Sequence, residues 1–170
     1  MGKTTVLMRV VEGLNAKHYS VGGMMSQEVR SEDGFRVGFE ILDLHNSRRG
    51  WLASVNEPNG PQVGKYRVNL EDLDSIGVEA IAEAVESLDV VVIDEVGPME
   101  LFSDRFQDAV KRAIVSTRLV VGVVHWNARG QLIGELKARA DSEVIVVTPE
   151  NREKLHEVVM AKAIEFLEHS

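Results

Sequence analysis

Val90-Val91-Val92-Ile93-Asp94-Glu95 is the stretch that decides the fold of this 170-residue chain. Four consecutive β-branched residues show no inside/outside alternation, so a strand made of them must be covered on both faces. The two carboxylates that follow end the strand at the edge where open α/β sheets bind their ligands. Residues 119–124 and 144–147 have the same unalternating texture and predict two more buried strands.

Helical patterns separate these runs. Phe102, Phe106, Ala109, Val110, Ala113 and Ile114 share one stripe, with Ser103 placed to cap it. Residues 130–139 predict a shorter helix. Thr148-Pro149-Glu150 reads as a cap, a first-turn proline and a first-turn acid, announcing a last helix that buries Leu155, Val159, Ala163 and Phe166 or Leu167. Strand and helix in alternation give an α/β domain with a mostly parallel sheet flanked by helices.

The region from about residue 20 to residue 68 differs. Residues 21–30, 35–44 and 51–55 predict short strands joined by turns at Asp33-Gly34 and Asn46-Ser47, an antiparallel β meander inserted within a single domain spanning 1–170. Residues 56–61 read as loop. A helix carrying Ile76, Ile81, Val85 and Leu88 returns to the parallel part.

The chain opens Met1-Gly2-Lys3-Thr4-Thr5, and Val6, Leu7, Val10, Val11 and Leu14 then fall on one helical face. Gly-Lys-Thr-Thr at a helix start is the second half of a phosphate-binding loop. Backbone amides and the helix dipole wrap a polyphosphate there, Lys3 reaches the β- and γ-phosphates, and the Thr4 hydroxyl ligates Mg²⁺. In such a site Asp94 holds Mg²⁺ through a water and Glu95 polarises the attacking water. The nucleotide-binding set is thus Gly2, Lys3, Thr4 and Thr5 with Val90, Val91, Val92, Ile93, Asp94, Glu95, Val96 and Gly97. Glu95 and Lys3 are the candidate catalytic residues, and Thr4 and Asp94 the candidate metal residues.

Composition narrows the function classes. The net charge of −8 argues against nucleic acid or an anionic membrane as the main partner, and the absence of Cys removes thiol catalysis and fits a cytoplasmic protein. No apolar run approaches the ~20 residues of a membrane span. The five His are scattered without ligand spacing, so no zinc site is expected.

Taken together, GKTT at 2–5, VGGMMSQEVR at 21–30, RVGFEILDL at 36–44, RRGWLASV at 48–55, VGKYRVNL at 63–70, VVVIDEVGPMEL at 90–101 and VTPENR at 147–152 resemble the THEP1-type nucleoside triphosphatase family over nearly the whole chain. That resemblance implies a P-loop core of RecA or kinase type and Mg²⁺-dependent hydrolysis of ATP, GTP and other NTPs with loose base preference. It also implies that Lys3, Thr4, Asp94 and Glu95 match the family's site positions. Members of the family begin with a strand and the opening glycines of the loop, where this sequence has only Met1. The expectation is that this chain binds NTP more weakly than one carrying that strand.

Secondary candidates are Arg48 and Arg49, either of which would neutralise γ-phosphate charge as an arginine finger does, and Arg30 in the same role. His125 ends its strand at the same sheet edge as Asp94. Trp51 and Trp126 could stack a base. Glu100 and Met99 follow the acidic pair with no physical role evident from sequence. A nucleotide or polynucleotide kinase and a nucleotide-sensing protein with a degenerate site remain the alternative readings.

Overall fold

A computed structural model describes residues 2–125 and 129–169. Met1 and the base-stacking expectation for Trp126 lie outside the described residues. The elements in order are α1 (Lys3–Ala16), β1 (Val21–Arg30), β2 (Arg36–Asp43), β3 (Arg49–Ser54), β4 (Gln62–Val63) and β5 (Tyr66–Val68). A helical stretch follows, with an opening turn α2 (Leu70–Asp72), a π-helical segment (Leu73–Val78) and α3 (Glu79–Ser87). Then come β6 (Val90–Val96), a 3-10 turn (Glu100–Phe102), α4 (Asp104–Val115), β7 (Leu119–Val124), α5 (Gln131–Ala138) and α6 (Leu155–Glu168).

All seven strands join one sheet in the order β4-β5-β3-β2-β1-β6-β7. β1 belongs to both textures seen in the sequence. Its first half pairs parallel with β6, from Val21↔Val90 to Met24↔Ile93. From Met24 onward it pairs antiparallel with β2, out to Arg30↔Arg36. The meander therefore grows out of the parallel sheet, and its hairpin runs past the carboxyl end of β6.

Alternation along β6 sorts the core into two layers. Val91 and Ile93 face α3 and α4, packing with Leu73, Ile81, Phe106 and Val110. Val90 and Val92 face α1 and α6, packing with Leu7, Val10, Leu14 and Ala163. These four strand residues are at most 2% exposed, as a doubly covered strand requires. Continuing the alternation, Asp94 falls on the α1 side.

Two expectations are corrected. Residues 144–147 form no strand: Val144 and Val146 are 61% and 56% exposed, and the segment enters no ladder. A strand exists only through a paired neighbour, and the parallel ladder among the described residues ends at β7. The last helix begins at Leu155 instead of Pro149. The Asn151 side chain accepts from the Thr148 amide at 2.8 Å while the Thr148 hydroxyl accepts from the Asn151 amide at 3.2 Å, so 148–154 close as turns. Side chains of this kind compete with the helical ladder for the same amides. Within α6, Leu167 is half-buried against the α1 layer and Phe166 is exposed.

Ser103 caps α4 as expected, its hydroxyl oxygen accepting from the Phe106 amide at 3.0 Å while donating to Asp74 at the π-helical segment. Ser103→Ala removes both bonds at a buried position. It should lower stability by about 1–2 kcal/mol in urea unfolding without changing the fold.

Candidate active site

The apolar stripe Val6, Leu7, Val10, Val11 and Leu14 seats α1 on the sheet and aims its first turn at the carboxyl end of β6. Gly2 precedes the helix at φ 88°, a left-handed conformation that side chains resist, and its carbonyl accepts the Val6 amide at 3.0 Å. The amides of Lys3, Thr4 and Thr5 lie in the first turn, where a helix provides no acceptor, and no acid occupies that turn. These donors, with the positive end of the helix dipole, make an anion-attracting helix start.

Asp94 stands opposite. It is 2% exposed, and its Oδ2 accepts a hydrogen bond from the Thr4 hydroxyl at 3.2 Å. Burial pushes its carboxyl up to about 6, the charge of Glu95 adds to this, and the Thr4 bond and the Lys3 ammonium work against it. Residues ninety positions apart are thereby joined where the helix start meets the strand end.

After Asp94 the register with β7 slips: Asp94 pairs with Val123 and Val96 with Val124. Glu95 is the extra residue of this bulge. Val96 consequently turns into the α3/α4 layer, and Glu95 escapes the dry face that plain alternation would have assigned it. Beyond the bulge the chain turns back, and Glu100 is 3% exposed with its Oε2 lacking any hydrogen-bond partner. Gly97 lies between the two glutamates. A side chain there would begin 3.2 Å from Glu95 Oε1 and 3.4 Å from Glu100 Oε2, so it would press on the Glu95 carboxyl and touch that of Glu100. Burial first, and then the charge of Glu95, raises the Glu100 carboxyl to about 8.

Comparison with known proteins places this arrangement. Residues 1–160 match the profile of the NTPase family. The chain belongs to that family. It is 45% identical over 157 residues to the protein named nucleoside-triphosphatase THEP1 of Thermofilum pendens, covering 91% of this chain and 85% of that one. Two solved structures share its P-loop fold, each with a TM-score of 0.81. A human cancer-related nucleoside triphosphatase is 29% identical and aligns over 97% of this chain and 93% of its own. THEP1 from Aquifex aeolicus is 27% identical and aligns over 96% and 93%.

Within this NTPase fold, the structure gathers Gly2, Lys3, Thr4, Thr5, Asp94, Glu95 and Gly97 at one edge. The strand residues Val90, Val91, Val92 and Ile93 lie beneath it as core, and Val96 packs into the opposite layer. His125 reaches the same edge, its amide bonded to the Val96 carbonyl at 3.1 Å. Met99 packs partly buried against the α3/α4 layer.

Arg48, Arg49 and Arg30 are not gathered there. Arg48 is bonded to the fully buried Asp43 at 3.0 Å and to Glu79 at 3.6 Å. Arg49, on β3, pairs with Glu40 of β2 and stands three strand spacings or about 14 Å across the sheet from β6. Arg30 bonds Glu28 and the Gly34 carbonyl at the hairpin end, about 20 Å along β1 from Met24. Trp51 also sits on β3, its amide donating to Asp72 at 2.9 Å.

Arg152 is the residue that sequence reading passed over. Its Cδ and Cβ come within 3.3 and 3.4 Å of where a Gly2 side chain would begin, so its stem lies on the start of α1. The Thr148/Asn151 turn holds it there, and Arg9 fastens the next residue by donating to the Glu153 carbonyl at 3.1 Å. The sequence signals were its place at the end of the VTPENR motif and a cation directly after the Thr-Pro-Glu-Asn turn.

Glu100 sets a pH dependence of stability. The folded chain keeps its proton up to about pH 8, whereas the unfolded chain loses it near the ordinary carboxyl value of 4.5. Between those values the folded state binds more protons, so stability of the metal-free protein falls as pH rises from about 5 to 8. Urea midpoints across that window should show the fall, and Glu100→Gln should remove most of it.

Proposed function

We propose that this chain is a Mg²⁺-dependent nucleoside triphosphatase that hydrolyses ATP, GTP and other NTPs to the diphosphate and phosphate. The observation that carries the reading is the Thr4–Asp94 hydrogen bond, which joins an acid-free helix start to a buried carboxylate at a parallel strand end. The names of the relatives support hydrolysis of nucleoside triphosphates.

The donor set fits a magnesium ion: a hydroxyl and a carboxylate oxygen face each other, both hard ligands. Among the described residues no group of three His, Cys, Asp or Glu could hold a metal by itself. When bound, Mg²⁺ supplies charge neutralisation on the phosphates.

The chain's own residues divide the remaining work. The first-turn amides and Lys3 bind and orient the phosphates, Thr4 and Asp94 would hold the metal, and the Arg152 guanidinium adds a second cation beside the loop. Glu95, freed from the core by the bulge, accepts a proton from water as its oxygen bonds the γ-phosphorus and the β–γ bridging bond breaks, the diphosphate leaving. No helix among the described residues is long and apolar enough to cross a membrane, and the reading places the enzyme in the cytoplasm with the NTP as its partner.

Phosphate release from ATP and GTP, with and without Mg²⁺ and with no acceptor added, tests the reading. Glu95→Gln should reduce kcat by about 10²-fold or more while a non-hydrolysable analogue still binds. Lys3→Ala should weaken that binding, and Arg152→Ala should raise KM. Release that requires an added hydroxyl acceptor would assign the site to phosphotransfer, and binding without any turnover would make it a sensor.

A further inference from the structure

Glu100 is buried, its Oε2 has no partner, and it shares the space over Gly97 with Glu95. A buried carboxyl oxygen left unpaired costs free energy in the resting protein, so its placement needs a reason. The turn through 97–103 could be closed without it, since the Leu101 amide already bonds the Gly97 carbonyl at 3.0 Å. An apolar side chain at 100 would fill the same space without an unpaired oxygen.

Resting on the triphosphatase reading, we propose that Glu100 is a positioning residue: a neutral carboxylic acid whose Oε2 hydroxyl donates to the Glu95 carboxylate when nucleotide fills the site, fixing that carboxylate on the attacking water. Two ionised glutamates flanking Gly97 repel each other, whereas an acid and a carboxylate can form a strong hydrogen bond. The groups that bear on Glu100 agree with the neutral form. Glu95 and Asp94 of β6 both disfavour a second negative charge beside them, and burial does the same; the backbone amides of Gly97 and Glu100 pull the other way and are outweighed. The bond is not made in the ligand-free protein, where Glu100 Oε2 has no partner.

Three variants test this against a merely structural role. Glu100→Gln keeps a donor of the same shape and should hold kcat within about threefold of the parent. Glu100→Ala should lower kcat about tenfold, with KM and analogue binding unchanged, since the loss is one of orientation. Gly97→Ala, which pushes into the space between the two oxygens, should lower kcat similarly with Glu100 intact. An infrared difference spectrum of wild type against Glu100→Gln at pH 7 should show a protonated carboxyl C=O band belonging to Glu100, a readout that needs no turnover and survives poor folding of the alanine variant.

Glu100→Gln falling as far as Glu100→Ala, analogue binding lost in step with kcat, or no protonated band would overturn the proposal. Wild-type turnover that Glu95→Gln abolishes, combined with any of those results, removes this proposal alone. A wild-type chain that releases no phosphate removes the triphosphatase reading and this proposal together.

Discussion

A strand that is dry on both faces and runs directly into a carboxylate is the constraint on which the rest depends. Val90 to Ile93 is covered by α3 and α4 on one side and by α1 and α6 on the other, so the next residue has no solvent to turn to. Asp94 must find partners among the groups that the covering helices bring. α1 brings the hydroxyl of Thr4 and the charge of Lys3, because its apolar stripe fixes both its seat on the sheet and the direction of its first turn. The core therefore positions the site, and a carboxylate held close to its protonation threshold is what that burial produces.

The same logic continues past the strand end. Without the bulge, alternation would send Glu95 into the layer that contains Phe106 and Ile93, where an unpaired charge is prohibitively expensive. The slipped register moves Val96 into that layer and leaves Glu95 at the edge. Three acids now stand within seven residues of sequence, and like charges so placed cannot all ionise cheaply. The structure resolves the conflict by grading their environments. Glu100, as buried as Asp94 but with its Oε2 unpartnered, is pushed to about 8, while Asp94, with a hydroxyl and a lysine to help, is pushed only to about 6.

What was legible in the sequence is what local periodicity and local capping determine. The stripe of α1, the Ser103 cap of α4 and the unalternating β6 are each encoded within a dozen residues, and each is found where expected. The Gly-Lys-Thr-Thr and Asp-Glu pairs were readable for the same reason, and their meeting followed from the parallel topology. Legibility fails where the deciding partner is distant. Residues 144–147 have strand texture, yet a strand also needs a neighbouring edge, which no local pattern supplies. Arg48 and Arg49 look like free cations until the fold delivers Asp43 and Glu40 to them. Glu100 was visible as a residue, but its meaning lies in the empty space at Gly97, and sequence records the glycine without recording what crowds it.

The commitment of those arginines bears on how a polyanion can be held at so acidic a place. The net charge is −8, and the hairpin that carries Arg30, Arg48 and Arg49 spends its cations on its own acids. At the proposed phosphate site, positive potential would come from the other side of the sheet edge, from the amides of α1, from Lys3 and from Arg152, whose stem lies on Gly2. Arg152 reaches that position only because the Thr148/Asn151 turn replaces the first turn of the last helix. The delayed start of α6 thus goes together with the placement of Arg152 on the start of α1. Local side-chain competition for two amides settles where a cation stands, and at the proposed polyphosphate site each such cation would offset the repulsion of three nearby carboxyl groups.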